Sequence, residues 1–295
     1  MGSKGLTIIL SKTVGFCYGV KNAIKIVEKS LLKYPHPIYT LGPLIHNKSE
    51  VKRLQNLGIK HIDKLEKIKS GSIITRTHGI EKNIMEILKS KKLNVINGTC
   101  PFIKKIQNIV SVLSKKKYFI FILGDKNHPE IKSVVSYIKP GNNFLIIDVS
   151  KENIDFKKYY RIFNMLKKHK IAVVSQTTIP FEKFDKITKE LNNIFKNIKI
   201  YNTICASSIR RQKEALELAK NVEVIIVIGG KHSANTKHLF ELSKTTGVKA
   251  YHIEQENEID NINLSNIKKL GIITGASTPD WLIKNIVNKL KKLKK

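Results

Sequence analysis

The strongest constraint on the fold is an internal repeat, because the chain follows one pattern of strands, turns and helices three times. Each repeat opens with a short apolar strand, a turn that contains one cysteine, and an amphipathic helix. The cysteine turns are Gly15–Cys17, Gly98–Pro101 and Thr203–Cys205. Two further strand–turn–helix blocks follow in each repeat, and their turns are polar. A repeat of this kind predicts three similar units rather than one large sheet.

Apolar strands that alternate with amphipathic helices predict parallel sheets covered by helices. We therefore predict an α/β fold of three units related by a pseudo-threefold axis, each a four-stranded sheet with flanking helices, around one central iron–sulfur cluster. The predicted domains are residues 1–93 with Cys17, packed with the C-terminal tail, 94–197 with Cys100, and 198–295 with Cys205.

Three cysteines, one at the equivalent turn of each repeat, are hard to explain by packing alone. An odd number cannot pair completely, and their long separations match neither zinc-finger nor ferredoxin spacing. A helix N-terminus favours the thiolate form that metal binding requires. Three thiolates leave a structural zinc one ligand short, but they suit a four-iron cluster with one open iron. A catalytic zinc, with Glu130 as the base of a hydrolase, stays an alternative.

The polar turns of the other blocks lie where open α/β sheets bind ligands, at the carboxyl ends of strands. Histidines, hydroxyls and an amide occupy equivalent positions there: His46, His78, His128, Thr177, Ser233, Asn235 and Ser277. Such donors beside helix N-termini favour a phosphate or diphosphate. Glu130 is the one carboxylate within these turns, which makes it the candidate proton carrier. The alternative for Glu130 is a helix-capping role.

The net charge of +31, from 54 basic and 23 acidic residues, favours anionic ligands or an acidic protein partner. A basic nucleic-acid-binding protein is therefore the second alternative, although the sequence offers no aromatic stacking platform or reading helix. No apolar run reaches the length of a membrane span, so we expect a soluble protein that binds neither nucleic acid nor membrane.

Three unpaired cysteines and no signal peptide indicate a reducing compartment. Heavy use of Lys, Asn and Ile, with a start at Met1-Gly2-Ser3 that looks like a cloning remnant, suggests a plastid-type organelle. A bacterial cytoplasm is the alternative.

From Leu6 to Trp281 the chain resembles the 4-hydroxy-3-methylbut-2-enyl diphosphate reductase family of the non-mevalonate isoprenoid pathway. The resemblance is carried by eight motifs, GFCYGV, LIHN, THG, NGTCP, NHPE, SQTT, NTIC and GAS, at Gly15–Val20, Leu44–Asn47, Thr77–Gly79, Asn97–Pro101, Asn127–Glu130, Ser175–Thr178, Asn202–Cys205 and Gly275–Ser277.

The resemblance implies one [4Fe–4S] cluster per chain on Cys17, Cys100 and Cys205, which converts to [3Fe–4S] on oxidation. It also implies that the fourth iron binds the allylic hydroxyl of the substrate. Two electrons from an acidic ferredoxin- or flavodoxin-type donor and two protons then remove this oxygen as water. The implied products are isopentenyl and dimethylallyl diphosphate, and we expect a monomer.

By motif, the diphosphate ligands are His46, His78, His128, Ser233, Ala234, Asn235 and Ser277. Thr177 lies beside the substrate hydroxyl, and Glu130 is in the proton path. Two positions depart from the family pattern. Ala234 stands where a second serine is usual, so only its backbone amide can reach the diphosphate, and Asn22 stands where arginine is common. Neither position is a predicted cluster ligand or proton donor.

Overall fold

The computed structural model describes residues 6–149 and 154–293, so the predicted outer bounds at residues 1 and 295 and the start Met1-Gly2-Ser3 lie outside the described residues. The described strands are β1 Thr7–Leu10, β2 Ile38–Leu41, β3 Ile59–Ile62, β4 Ser72–Ile74, β5 Asn94–Ile96, β6 Phe119–Leu123, β7 Phe144–Ile147, β8 Ile171–Ser175, β9 Ile198–Ile200, β10 Val224–Ile228, β11 Lys249–Ile253 and β12 Lys269–Thr274. β10 is buried at every residue because both faces of its sheet are covered.

Helices connect these strands and cover the sheets. The described α-helices are α1 Tyr18–Lys33, α2 Lys48–Asn56, α3 Lys82–Ser90, α4 Pro101–Lys115, α5 Pro129–Val135, α6 Tyr160–Leu166, α7 Phe181–Ile194, α8 Ala206–Ala219, α9 Ala234–Thr245 and α10 Asp280–Lys292. Short 3-10 helices span Leu65–Lys67, Phe156–Tyr159 and Glu256–Asn261. α4 buries Ile103, Ile106, Val110 and Leu113 on one face, the spacing of an amphipathic helix on a sheet.

The strands form three parallel sheets with the same internal order. The first sheet runs β3-β2-β4-β5, the second β7-β6-β8-β9, and the third β11-β10-β12-β1. The register is regular, as in the second sheet, where Ile120 pairs with Ala172 and Ile122 with Val174. The predicted α/β class, with three four-stranded parallel sheets and flanking helices, is confirmed.

The sheets are offset by one strand from the repeats of the sequence. β5 pairs with β4 and β9 with β8, so the first strand of a repeat completes the sheet of the repeat before it. β1 closes the cycle by pairing with β12. The expectation that one repeat supplies all four strands of a sheet is thereby corrected. The division into domains at 93/94 and 197/198 stays a prediction about the repeats.

Each sheet carries an apolar core on both faces. In the second sheet, Phe121 and Val173 pack with α7, while Ile120 and Ile122 pack with α4 and α5. Alternate side chains of a strand point to opposite faces, so both cores fix the same strands. The carboxyl ends of these strands are therefore held firmly in place, which suits turns that position functional side chains. Within residues 6–149 and 154–293, the helices are all too short or too polar to cross a bilayer.

Candidate active site

The three cysteines occupy the same structural position, the N-cap of the helix that follows the first strand of each repeat. Cys17 caps α1, Cys100 caps α4 and Cys205 caps α8, and none of the three side chains makes a capping hydrogen bond. All three are free thiols and half-buried. Because the helices do not use these side chains, the sulfur atoms are available to a ligand.

One backbone hydrogen bond, repeated three times, places these cysteines beside the polar turns. The N–H of Cys17 donates to Ala276 O at 2.9 Å, that of Cys100 to Thr77 O at 3.0 Å, and that of Cys205 to Thr177 O at 2.9 Å. Each acceptor lies in the turn after the strand that neighbours the cysteine's own strand, namely β12, β4 or β8. The offset of the sheets therefore brings cysteines and polar turns together.

A single cavity of about 110 Å³ is lined by all three cysteines. Cys100 Sγ lies against Gly19 in the first turn of α1, and a Cβ at that glycine would overlap the sulfur. Burial raises the pKa of the Cys100 thiol to about 11 and raises the pKa of Cys205, with nearby thiols adding to the effect. Burial therefore favours the protonated forms of Cys100 and Cys205 until a cation compensates their thiolate charges.

His46, His78 and His128 form one group in the same cavity. Their ring centroids are 4.7 Å apart for His46 and His78, 5.4 Å for His78 and His128, and 6.1 Å for His46 and His128. Burial lowers the pKa of all three, that of His128 to about 4. The positive charge of Arg76 adds to this for each of them, and neighbouring histidines add to it for His78 and His128. They offer ligand atoms within 4.8 Å of one another, so they could hold a metal ion or an anion.

The third sheet contributes hydroxyl and amide groups to the cavity. Ser233 is the N-cap of α9, and Ala234 and Asn235 begin that helix. Ser277 Oγ donates to His46 O at 3.1 Å, and Gly230 packs directly against the same carbonyl. These contacts fix the start of α9 beside the histidines. All seven residues predicted to bind the diphosphate therefore line one cavity.

Two buried nitrogen atoms in this cavity lack a hydrogen-bond partner among the described residues. Asn235 Oδ1 accepts from Ser208 Oγ at 3.2 Å, which leaves Asn235 Nδ2 unpaired, and His46 Nε2 is also unpaired. An unpaired buried polar group costs about 1–3 kcal/mol. A ligand that accepts hydrogen bonds would remove this cost, which fits an anionic group.

Glu130 and Thr177 form a buried pair at the edge of the cavity. Thr177 N donates to Glu130 Oε1 at 2.6 Å, and Thr177 Oγ1 donates to Oε2 at 2.7 Å. Burial raises the pKa of Glu130 to about 7, although both bonds from Thr177 oppose the shift. The N-cap of α5 is His128, whose Nδ1 accepts from Glu130 N, so the carboxylate itself does not cap the helix.

Sequence reasoning missed Arg211, which is 1% exposed and lies in α8. Its Nη1 donates to Thr13 O and Thr274 O at 2.9 and 2.8 Å, and its Nη2 donates to Gly15 O at 2.7 Å. The guanidinium thus ties the loop before Cys17 to the end of β12 and to the helix of Cys205. Arginine is rare among the basic residues of this chain, and a planar five-donor group suits such a position better than lysine.

Comparisons with known proteins identify the family of this chain. Residues 8–291 match the family model described as LytB protein. The 4-hydroxy-3-methylbut-2-enyl diphosphate reductase of Aquifex aeolicus is 37% identical over 286 residues, covering 97% of this chain and 96% of that protein. The enzyme of the same name from Campylobacter hominis is 42% identical, covering 97% of this chain and 98% of that protein.

Two solved structures share the fold. One is (E)-4-hydroxy-3-methyl-but-2-enyl diphosphate reductase, described as the terminal enzyme of the non-mevalonate pathway, with a TM-score of 0.70, 37% identity, and 97% and 99% of the two chains covered. The other is the E-1-hydroxy-2-methyl-but-2-enyl-4-diphosphate reductase from Plasmodium falciparum, with a TM-score of 0.85, 29% identity, and 96% and 87% covered. The chain therefore belongs to the LytB protein family, whose relatives named above are 4-hydroxy-3-methylbut-2-enyl diphosphate reductases.

Proposed function

We propose that this protein is a 4-hydroxy-3-methylbut-2-enyl diphosphate reductase. It takes (E)-4-hydroxy-3-methylbut-2-enyl diphosphate, two electrons and two protons, and releases water with isopentenyl or dimethylallyl diphosphate. The observation that carries the proposal is that one cavity combines three free thiols, a group of anion-suited donors and a buried carboxyl. Reductive removal of a hydroxyl from a diphosphate calls for a redox centre, an anion site and a proton donor, which these three sets of groups could hold or supply.

Membership of the family implies a metal-cluster cofactor. We propose one [4Fe–4S] cluster per chain, held by Cys17, Cys100 and Cys205. The fit rests on sulfurs that no cap uses and on Gly19, whose missing side chain leaves room beside Cys100 Sγ. When bound, such a cluster would supply the electrons and an iron without a protein ligand.

The histidines and the third-sheet residues would hold the diphosphate. Neutral imidazoles can donate from one nitrogen each, and a bound dianion would favour their protonated forms, which add charge-assisted bonds. Asn235 Nδ2 and His46 Nε2 would gain acceptors that they lack. Ser233, Ser277 and the backbone amide of Ala234 lie at the N-terminus of α9 or beside it, where anions are favoured.

Glu130 would hold the proton that turns the leaving hydroxide into water. A pKa near 7 keeps both its forms populated close to neutral pH, which suits a group that must take up and deliver a proton. Thr177 Oγ1, at 2.7 Å from Oε2, belongs to a residue that also lines the cavity, and it can relay the proton. Thr177 N holds the other carboxyl oxygen in place.

The remaining parts of the proposal concern the surroundings of the enzyme. We propose an acidic one-electron donor of the ferredoxin or flavodoxin class, a monomeric state and a reducing compartment. The curated relatives named above are bacterial, which gives no support to a plastid-type organelle. The zinc-hydrolase and nucleic-acid-binding alternatives also gain no support from these relatives.

The deciding experiment measures turnover of the substrate by anaerobically reconstituted protein with dithionite and a viologen mediator. Iron and acid-labile sulfide are determined on the same sample. We expect both diphosphate products, with turnover proportional to cluster content. Serine variants of Cys17, Cys100 and Cys205 should lose bound iron and activity, while Ser243→Ala, a buried change on α9 away from the cavity, should retain both. A fully loaded wild-type protein that leaves the substrate unreduced would overturn the proposal.

A further inference from the structure

Each of the three helices that begin at a cysteine carries an exposed stripe of side chains, and each stripe starts beside the thiol. On α1 the stripe contains Tyr18, Lys21 and Lys25, all exposed. The equivalent exposed residues are Lys104 and Lys105 on α4, and Arg210 and Lys213 on α8. Residues three, four and seven positions apart lie on one helix face, so each stripe continues from the first helical residue.

The first eight residues of each of these helices contain no acid, and exposed acids on the same faces come only later, as Glu28 on α1 and Glu217 on α8. α1, α4 and α8 each have no acid in the first turn, a lack that they share with α3, α6 and α9, whereas α2, α5, α7 and α10 each have one. The first acid of α8, Glu214, is bonded to Thr13 through N at 2.6 Å and Oγ1 at 2.5 Å. A helix N-terminus favours acids and disfavours cations. Lys21 and Lys104, each the fourth residue of its helix, therefore lie where the helix itself gains nothing from a cation.

Exposed aromatic side chains lie at the start of two of these stripes, on α1 and α4. Tyr18, directly after Cys17, is 68% exposed, and Phe102, two residues after Cys100, is 42% exposed. Phe102 also lines the cavity together with the three cysteines. The stripes thus begin around the thiol end of one cavity and run outward from it. An apolar centre with a charged rim is the usual anatomy of a protein–protein interface.

We propose that this face docks an acidic electron-carrier protein, with the redox centre of the carrier held over Tyr18 and Phe102. We call its six cations, Lys21, Lys25, Lys104, Lys105, Arg210 and Lys213, the basic collar. The inference rests on the proposed function and adds the place and chemistry of docking. Each docked carrier is oxidised by one electron, so two carriers and two protons are consumed for each hydroxyl released as water.

The physical case is that electron transfer slows steeply with distance, and the three half-buried thiols are the N-cap residues of the helices that carry the collar. Complexes of electron carriers are small and short-lived, so they depend on charge for fast and correctly oriented encounter. A rim of six cations, with no acid among the first eight residues of each helix, supplies this steering toward an acidic surface.

The test compares two triple charge reversals. The collar variant is Lys21→Glu, Lys104→Glu and Arg210→Glu. The control is Lys69→Glu, Lys168→Glu and Lys196→Glu, three exposed residues that precede β4, β8 and β9 and so lie at the amino edges of the sheets. Both variants change the net charge equally. Turnover is measured with a reduced acidic [2Fe–2S] ferredoxin and, separately, with dithionite and a viologen.

We expect kcat/KM for ferredoxin at low salt to fall about tenfold or more in the collar variant, with a weaker salt dependence, and to change less than about twofold in the control. Dithionite-driven turnover should stay within about twofold of wild type in both variants. The docking site would be contradicted if the collar variant and the wild type had equal kcat/KM for ferredoxin. It would also be contradicted if the collar and control variants lost equal fractions of that kcat/KM. A wild-type protein inactive with dithionite would instead sink the proposed function.

Discussion

At the scale of single residues, Glu130 shows how burial and hydrogen bonding compete. Removal from water favours the neutral carboxyl, while the two donors of Thr177 favour the carboxylate. Burial is the larger effect and raises the pKa to about 7. The residue is therefore an acid whose neutral form is depleted as pH rises through neutrality. A reaction that takes its proton from Glu130 must therefore slow as pH rises through neutrality.

We predict that Glu130→Gln lowers dithionite-driven turnover by about 10²–10⁴, the range for loss of general acid catalysis. The wild-type rate should fall as pH rises above about 7, because the protonated fraction of Glu130 falls there, and the variant should lose this limb. Rates from pH 5.5 to 9 and iron content are measured together. Thr177→Ser, which keeps the hydroxyl, is the matched control and should retain most activity. Normal turnover in Glu130→Gln would contradict the role of Glu130 as proton source and would mean that its role is structural only.

The start of α9 permits a second prediction. Asn235→Ala should weaken binding of isopentenyl diphosphate by about 1–3 kcal/mol, because a buried donor that the anion satisfies is lost. Ser243→Ala is the control and should not change the dissociation constant, because Ser243 is buried on the same helix and its Oγ donates to Leu239 O. Ala234→Ser adds a hydroxyl beside the proposed anion and should leave affinity unchanged or slightly higher. Calorimetry on reconstituted protein measures all three.

Residue identities at this site were predictable because they recur at equivalent turns of the repeats. The predicted cavity residues, from the cysteines to Ala234 and Ser277, line one cavity. Arg211 was not predictable in the same way, since its partners Gly15 and Thr13 lie almost two hundred residues away in sequence. Local spacing carries no signal for such a contact. The one available hint was that arginine is scarce in this chain, in which most basic residues are lysine.

At the scale of elements, α1 and α4 approach each other through a glycine. A Cβ at Gly19 would overlap Cys100 Sγ, so a side chain there must displace either the thiol or the first turn of α1. Gly19→Ala should therefore lower iron and acid-labile sulfide after reconstitution while leaving far-ultraviolet circular dichroism unchanged. Asn22→Ala, on the same helix, is the control and should load normally. If Gly19→Ala bound the full amount of iron and sulfide, α1 and α4 would have to be able to move apart enough to accommodate the added methyl group.

The elements also show where sequence reasoning was incomplete. Strand and helix positions followed from apolar runs and from the spacing of the repeats. The pairing of β5, β9 and β1 with the preceding sheet did not, because these edge strands are only three or four residues long. A short strand is compatible with either neighbouring sheet, and tertiary hydrogen bonds such as Cys100 N to Thr77 O decide between them.

At the scale of the whole molecule, the net charge of +31 acts on folding as well as on partners. Like charges repel one another more in the compact state than in the expanded unfolded chain. The attractions that oppose this within the described residues are a few ion pairs, most with an exposed partner. Exposed pairs are worth about 0–1 kcal/mol each. Repulsion therefore dominates, and screening it should favour the folded state.

We predict that the melting temperature of the metal-free protein rises as KCl increases from about 10 to 100 mM, where the screening length shortens from about 30 to 10 Å. Potassium chloride is the right salt because diphosphate or sulfate would also bind the anion pocket. The collar and amino-edge triple variants carry equally reduced charge, so both should melt higher at low salt and respond less to KCl. A melting temperature that falls with KCl would mean that local ion pairs outweigh the net charge. A response of the collar variant alone would place the repulsion at the three cysteine helices, where the cations converge, instead of across the whole surface.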